Sequence, residues 1–151
     1  MVTITVIGLD PYMVRQISKD LSEKLADIYE CSVDDINFYS PECLYIHNGV
    51  EQNTWNILVK VNAPLKVKVM QNDAAKIIHD FIKAACINMA IEFYYYSQDD
   101  RYEFIDDTQP RFMTEENSVE IDSDVEYEET DEEPYLGNVF EDFEKKINGG
   151  K

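Results

Sequence analysis

The sequence predicts a mixed α/β (α+β) domain: two strand–helix–strand halves forming a four-stranded sheet with both helices on one face, followed by an acidic tail. Two observations carry this. Short alternating or β-branched runs are twice followed by a three- and four-residue apolar stripe and then another alternating run. The charge is also divided unevenly. Residues 1–105 hold 15 acids and 9 bases, a net of −6, whereas residues 106–151 hold 16 acids and 4 bases, a net of −12.

The first strand is Thr3–Ile7, stopped by Gly8. Asp10-Pro11 then reads as a helix N-cap with proline at the first helical position. Val14, Ile17, Leu21, Leu25 and Ile28 form one stripe of a helix over Pro11–Tyr29. Arg15 and Lys19 fall on its wet side, so Arg15 is read as a surface residue. A second strand is expected at Asp35–Ser40, with Cys43–His47 continuing the extended run after Pro41. Asn48-Gly49 marks a hairpin turn.

The second half starts with the strand Thr54–Asn62, in which Trp55, Ile57, Val59 and Val61 alternate with Asn56, Leu58, Lys60 and Asn62. A helix follows over Asn72–Asn88 with the stripe Ala74, Ile77, Ile78, Phe81, Ile82 and Ala85. Ala90–Tyr96 is the last strong strand, and Tyr102–Ile105 is a candidate edge strand. Right-handed crossovers would put both helices on one sheet face. The opposite face is expected to carry aliphatic and aromatic side chains, which a lone subunit would leave wet; that predicts an oligomer.

The domain boundary is placed at residue 110, with 1–110 as the folded domain and 111–151 as the tail. Glu115–Glu133 is acidic and poor in apolar residues, so disorder is expected there. Tyr135, Leu136, Val139, Phe140, Phe143 and Ile147 return at helical spacing, which suggests a short amphipathic helix near 135–147 that could dock on a protein partner.

A formal net charge of −18 argues against nucleic acid or an anionic membrane surface as partner. Cys31, Cys43 and Cys86 have neither disulfide-framework nor zinc spacing and are read as reduced thiols, which points to a cytoplasmic setting. The start, MVTITVIGLD, lacks the basic region of a secretory signal, and no apolar run reaches the ~20 residues of a membrane span. His47 and His79 have no partners at metal-ligand spacing, and no cofactor motif is present, so no cofactor or metal is expected.

The element order resembles the tautomerase superfamily, the macrophage migration inhibitory factor superfamily, and is most similar to a small bacterial branch of it. The resemblance covers about residues 1–110. It rests on the strand at the amino terminus, the run DINFYS, the block WNILVKV…NDAAKIIHDFI and the ending IEFYYYSQDDRYEFID. It implies a homotrimer whose sheets surround a central barrel, a small acidic carbonyl ligand, and chemistry by an amino-terminal proline whose amine moves a proton between carbon and oxygen.

Val2 stands where that proline is expected. Removal of Met1 would leave a primary amine, with an ordinary pKa of about 7.7–8.0, as the candidate base. Lys60 is the candidate cation for polarising an enolate. Tyr94 and Tyr96 are candidate pocket phenols, and Lys66 and Lys68 are read as solvated loop residues. The missing proline makes a vestigial or repurposed binding pocket the leading functional expectation. The alternatives are a working tautomerase-type enzyme using the Val2 amine, and a ferredoxin-like interaction module.

Overall fold

The computed structural model describes residues 1–114 and 117, and the chain divides into two units, Met1–Phe104 and Ile105–Lys151. The acidic run and the 135–147 helix expected from the sequence lie outside the described residues. Regular structure follows the order β1 (Val2–Ile7), α1 (Pro11–Tyr29), β2 (Ile36–Tyr39), β3 (Ile46–His47), β4 (Val50–Glu51), β5 (Asn56–Pro64), α2 (Gln71–Ile82) and β6 (Asn88–Tyr96).

Local chemistry starts and stops these elements where the chain says it should. The Asp10 carboxylate accepts from the backbone N–H of Tyr12 and Met13, capping α1, and Glu30 ends the helix in the left-handed region at φ 50°. Gly8 has φ +89°, and a Cβ there would lie 2.7 Å from the Asn56 carbonyl oxygen. Only glycine fits where the turn after β1 presses on the start of β5. Asn48 and Gly49, both at positive φ, close the β3–β4 hairpin.

The main sheet has the order β2-β1-β5-β6. Each outer strand runs parallel to the strand that precedes its helix, and the two inner strands, β1 and β5, are antiparallel. Parallel neighbours need a crossover, and the helices supply it. Val2, Ile4 and Val6 of β1 alternate inward with Ile57, Val59, Val61 and Ala63 of β5. They meet Val14, Leu21 and Leu25 of α1 and Ala74, Ile78 and Ile82 of α2 in one buried core. At roughly 1.5–3 kcal/mol for each buried aliphatic side chain, this layer outweighs any single polar contact in the domain.

Four expectations need correction. The face away from the helices is largely polar. It presents Asn37, Thr3, Asn62 and Tyr94 in one row and Tyr39, Thr5, Lys60 and Glu92 in the next. Strand alternation sends most of the aliphatic set to the helix side and leaves the paired Ile7 and Leu58, with the tyrosines, as the main apolar groups on the other. Tyr102–Ile105 forms no edge strand, because a one-turn 3-10 helix at Gln98–Asp100 with a Ser97–Asp100 capping box ends the extended run. Trp55 lies outside β5 and is 59% exposed. The second helix stops at Ile82 and tightens into a 3-10 turn over Lys83–Ala85. No helix among the described residues is long and apolar enough to cross a membrane.

Candidate functional site at the amino end of β1

Strand register brings four parts of the chain to one end of the sheet. Val2 lies opposite Ile36, so Asp35 sits next to Met1. Thr3 pairs with Asn62, which places the start of β1 beside Ala63 and Pro64, and Pro64 in turn pairs with Tyr96. The segments leaving these positions then enclose a cleft of about 480 Å³. Its walls include Tyr29 at the end of α1, Cys31 just beyond it, Lys66 after β5, and Arg101 and Glu103 after β6.

Met1 reaches into this cleft through three polar atoms. Its ammonium lies 3.7 Å from Asp35 Oδ1. Its carbonyl oxygen accepts a 2.5 Å hydrogen bond from the Tyr96 hydroxyl. Its thioether sulfur accepts from Nη2 of Arg101 at 2.7 Å. Arg101 is itself positioned by two neighbours. Its Nε donates to Glu103 Oε1 at 2.7 Å, and its guanidinium carbon stands 5.5 Å from the centre of the Tyr96 ring. The hydrogen bond to Glu103 is the main reason the Arg101 guanidinium holds its proton more tightly than usual.

Burial raises the pKa of the Tyr96 phenol, opposed by the Arg101 charge, and Tyr96 remains a donor at neutral pH. Burial likewise raises the Cys31 thiol, with the Asp35 carboxylate adding to it. Tyr29 is 4% exposed, and burial pushes its phenol far above the ordinary value. Its hydroxyl has no hydrogen-bond partner among the described residues.

The candidates from the sequence divide accordingly. Val2 and Tyr96 line the cleft, and Val2 is 3% exposed, packed into the core beneath it. Lys60 does not line it. Lys60 pairs with Thr5 and Glu92 on the polar sheet face, three residues along β5 from Ala63, or about 10 Å at strand rise. Tyr94 also stands on that face, 47% exposed, donating to Glu92 Oε2 at 2.6 Å. The side-chain cations of the cleft are instead Lys66, read from the sequence as solvated, and Arg101, which sequence reasoning passed over. The available signal for Arg101 was its place just after the last strand, where a short capped turn can fold the chain back. Among the described residues, no group of three His, Cys, Asp or Glu side chains could hold a metal ion.

The sheet and its two helices share a fold with macrophage migration inhibitory factor-like proteins. No family model matches the chain, and no curated protein matches it in sequence. Among solved structures, a domain of unknown function (DUF1904) from Sebaldella termitidis superposes with a TM-score of 0.62 at 22% identity, covering 68% of this chain and 95% of that one. A protein of unknown function from Vibrio cholerae gives 0.58 at 16% identity, covering 68% and 83%. A macrophage migration inhibitory factor-like protein from Entamoeba histolytica gives 0.52 at 10%, covering 68% and 93%. At these identities the likeness is one of fold.

Proposed function

We propose that this chain is a homotrimeric member of the tautomerase fold class that binds a small acidic carbonyl compound in the amino-terminal cleft, without proline chemistry. The observation that carries the reading is the cleft itself. It gathers a guanidinium, an ammonium side chain and a phenol donor around the start of β1, where Val2 replaces the expected proline. A charged donor such as Arg101 recognises a carboxylate, and Tyr96 supplies a neutral donor for a carbonyl oxygen. Valine has neither the rigid ring nor the secondary amine that the superfamily's proton transfer relies on, so recognition survives where that chemistry does not.

Calorimetric titration with phenylpyruvate tests the reading. Binding is expected, with Arg101→Gln weakening it by on the order of tenfold, as for loss of one charged hydrogen bond. Turnover of the same compound should stay at the uncatalysed rate. Absence of binding by any small carboxylate at millimolar concentration would remove this function.

One observation favours a second reading, a working enzyme. The Val2 amide is bonded directly to the Met1 carbonyl that Tyr96 contacts. Loss of Met1 would leave an amine beside that phenol, with a pKa of about 7.7–8.0 if unperturbed. Turnover by the native chain, abolished when its amino terminus is blocked, would select this reading instead.

A further inference from the structure

We propose that Met1 traces the path of the ligand, and that the cleft selects carboxylic acids carrying a carbonyl oxygen on the fourth carbon. This rests on the cleft being a site for small acidic carbonyl compounds and adds which of them fit. Two donors are engaged by Met1: the Tyr96 hydroxyl by its carbonyl oxygen and Arg101 Nη2 by its sulfur. Within methionine, those two acceptors are separated by five covalent bonds, running O–C, C–Cα, Cα–Cβ, Cβ–Cγ and Cγ–Sδ. A 4-oxo acid has the same five-bond path from its ketone oxygen to a carboxylate oxygen. A 2-oxo acid is two bonds short, a 3-oxo acid one bond short, and a 5-oxo acid one bond long.

The chemistry of each partner sets the direction of the ligand. A thioether is a weak acceptor, so a carboxylate oxygen in the sulfur's place gives Arg101 a stronger, charge-assisted bond. Glu103 holds Nε of Arg101 and leaves the Nη2 edge turned to this position. The Tyr96 hydroxyl already meets a neutral carbonyl in Met1 and would meet another in the ketone. A second carboxylate at that end is disfavoured, because Asp35 and Glu103 line the same cleft and repel it. Met1 and the ligand therefore compete for the same donors, and a chain that retains Met1 carries its own occupant.

The test uses the full chain in two forms, one starting at Met1 and one at Val2. Each is released from a cleavable leader and verified by intact mass. Both are titrated calorimetrically with 2-oxobutanoate, 3-oxobutanoate, 4-oxopentanoate, 5-oxohexanoate and pentanoate. The Val2 form should bind 4-oxopentanoate at least about tenfold tighter than the other four, and the Met1 form should bind it at least about tenfold more weakly. Arg101→Gln in the Val2 form should abolish the spacing preference. Acids that bind with no preference, or with an optimum at another spacing, overturn this inference while leaving the cleft a binding site. Equal affinity in the two forms, or a preference that survives Arg101→Gln, also overturns it. If no acid binds either form, the reading of the cleft as a carboxylate site falls as well.

Discussion

The Tyr96 hydroxyl donates to the Met1 carbonyl oxygen, joining the end of β6 to the residue before β1 across 95 positions of sequence. The strands themselves are never neighbours, since β5 lies between them. The bond closes one end of the sheet and so defines the cleft. Tyr96→Phe keeps the ring and its contact with Arg101 but removes the donor. In the chain that retains Met1 we expect a loss of about 0.5–1.5 kcal/mol in urea denaturation. In a chain starting at Val2 the acceptor is absent, and the same substitution should cost much less.

Gly8→Ala should destabilise the domain more than an ordinary surface change. The new methyl would meet the Asn56 carbonyl at 2.7 Å, and the backbone sits at φ +89°. A cost of about 1–3 kcal/mol is expected from strain at such a position. Equilibrium denaturation measures it, and a neutral result would mean that the turn relaxes freely.

Chemistry at residue 2 can be tested by gain of function. Val2→Pro, with Met1 absent, should raise turnover of phenylpyruvate above that of the native chain. A partly desolvated secondary amine stays unprotonated at neutral pH. Proline is tolerated at the first residue of a strand, so the fold should hold. A steady-state assay of both proteins by ultraviolet absorbance decides it; inactivity of both leaves binding as the role of the cleft.

The assembly and the domain boundary are checked together. Light scattering of the full chain should give three times the mass of one chain. A chain ending at residue 110 should give the same stoichiometry and unfold cooperatively, because the core residues of the described structure all precede that point. A monomeric full chain, or a shortened one that unfolds without cooperativity, would refute the corresponding expectation.

Thiol reactivity should follow burial. Cys43 is exposed, whereas burial raises the thiol pKa of Cys31, with help from Asp35, and of Cys86. Iodoacetamide near pH 8 should modify Cys43 first, as peptide mass mapping would show. A thiol that holds its proton more tightly when folded contributes stability that is fully present below the ordinary thiol value and is lost as pH rises from there through the raised folded value.

Much of the fold was legible from local signals. The apolar stripe and the Asp10-Pro11 cap located α1 over Pro11–Tyr29, and Asn48-Gly49 located the hairpin turn. A β-branched run stopped by Gly8 located β1, and period-two alternation located β5 and β6, because burial on one side repeats every second residue. Of the residues singled out from the sequence, Val2, through the family resemblance, and Tyr96, in the tyrosine run, are the two that line the cleft. Lys60 was drawn to the site because a central strand made it look enclosed, yet no local pattern states how far along a strand a residue stands from its neighbours' ends.

The sequence alone therefore determined the order of the main strands and helices and the inward stripe of each, though not all of their ends, since these depend on neighbours a few positions away. Only the tertiary structure decided that Asp35, Lys66, Tyr96 and Arg101 meet at Met1. That meeting depends on the register of four strands and on where three loops turn back. Register is set by the packing of the whole inward face against two helices, a property of all the core residues together and of no single motif.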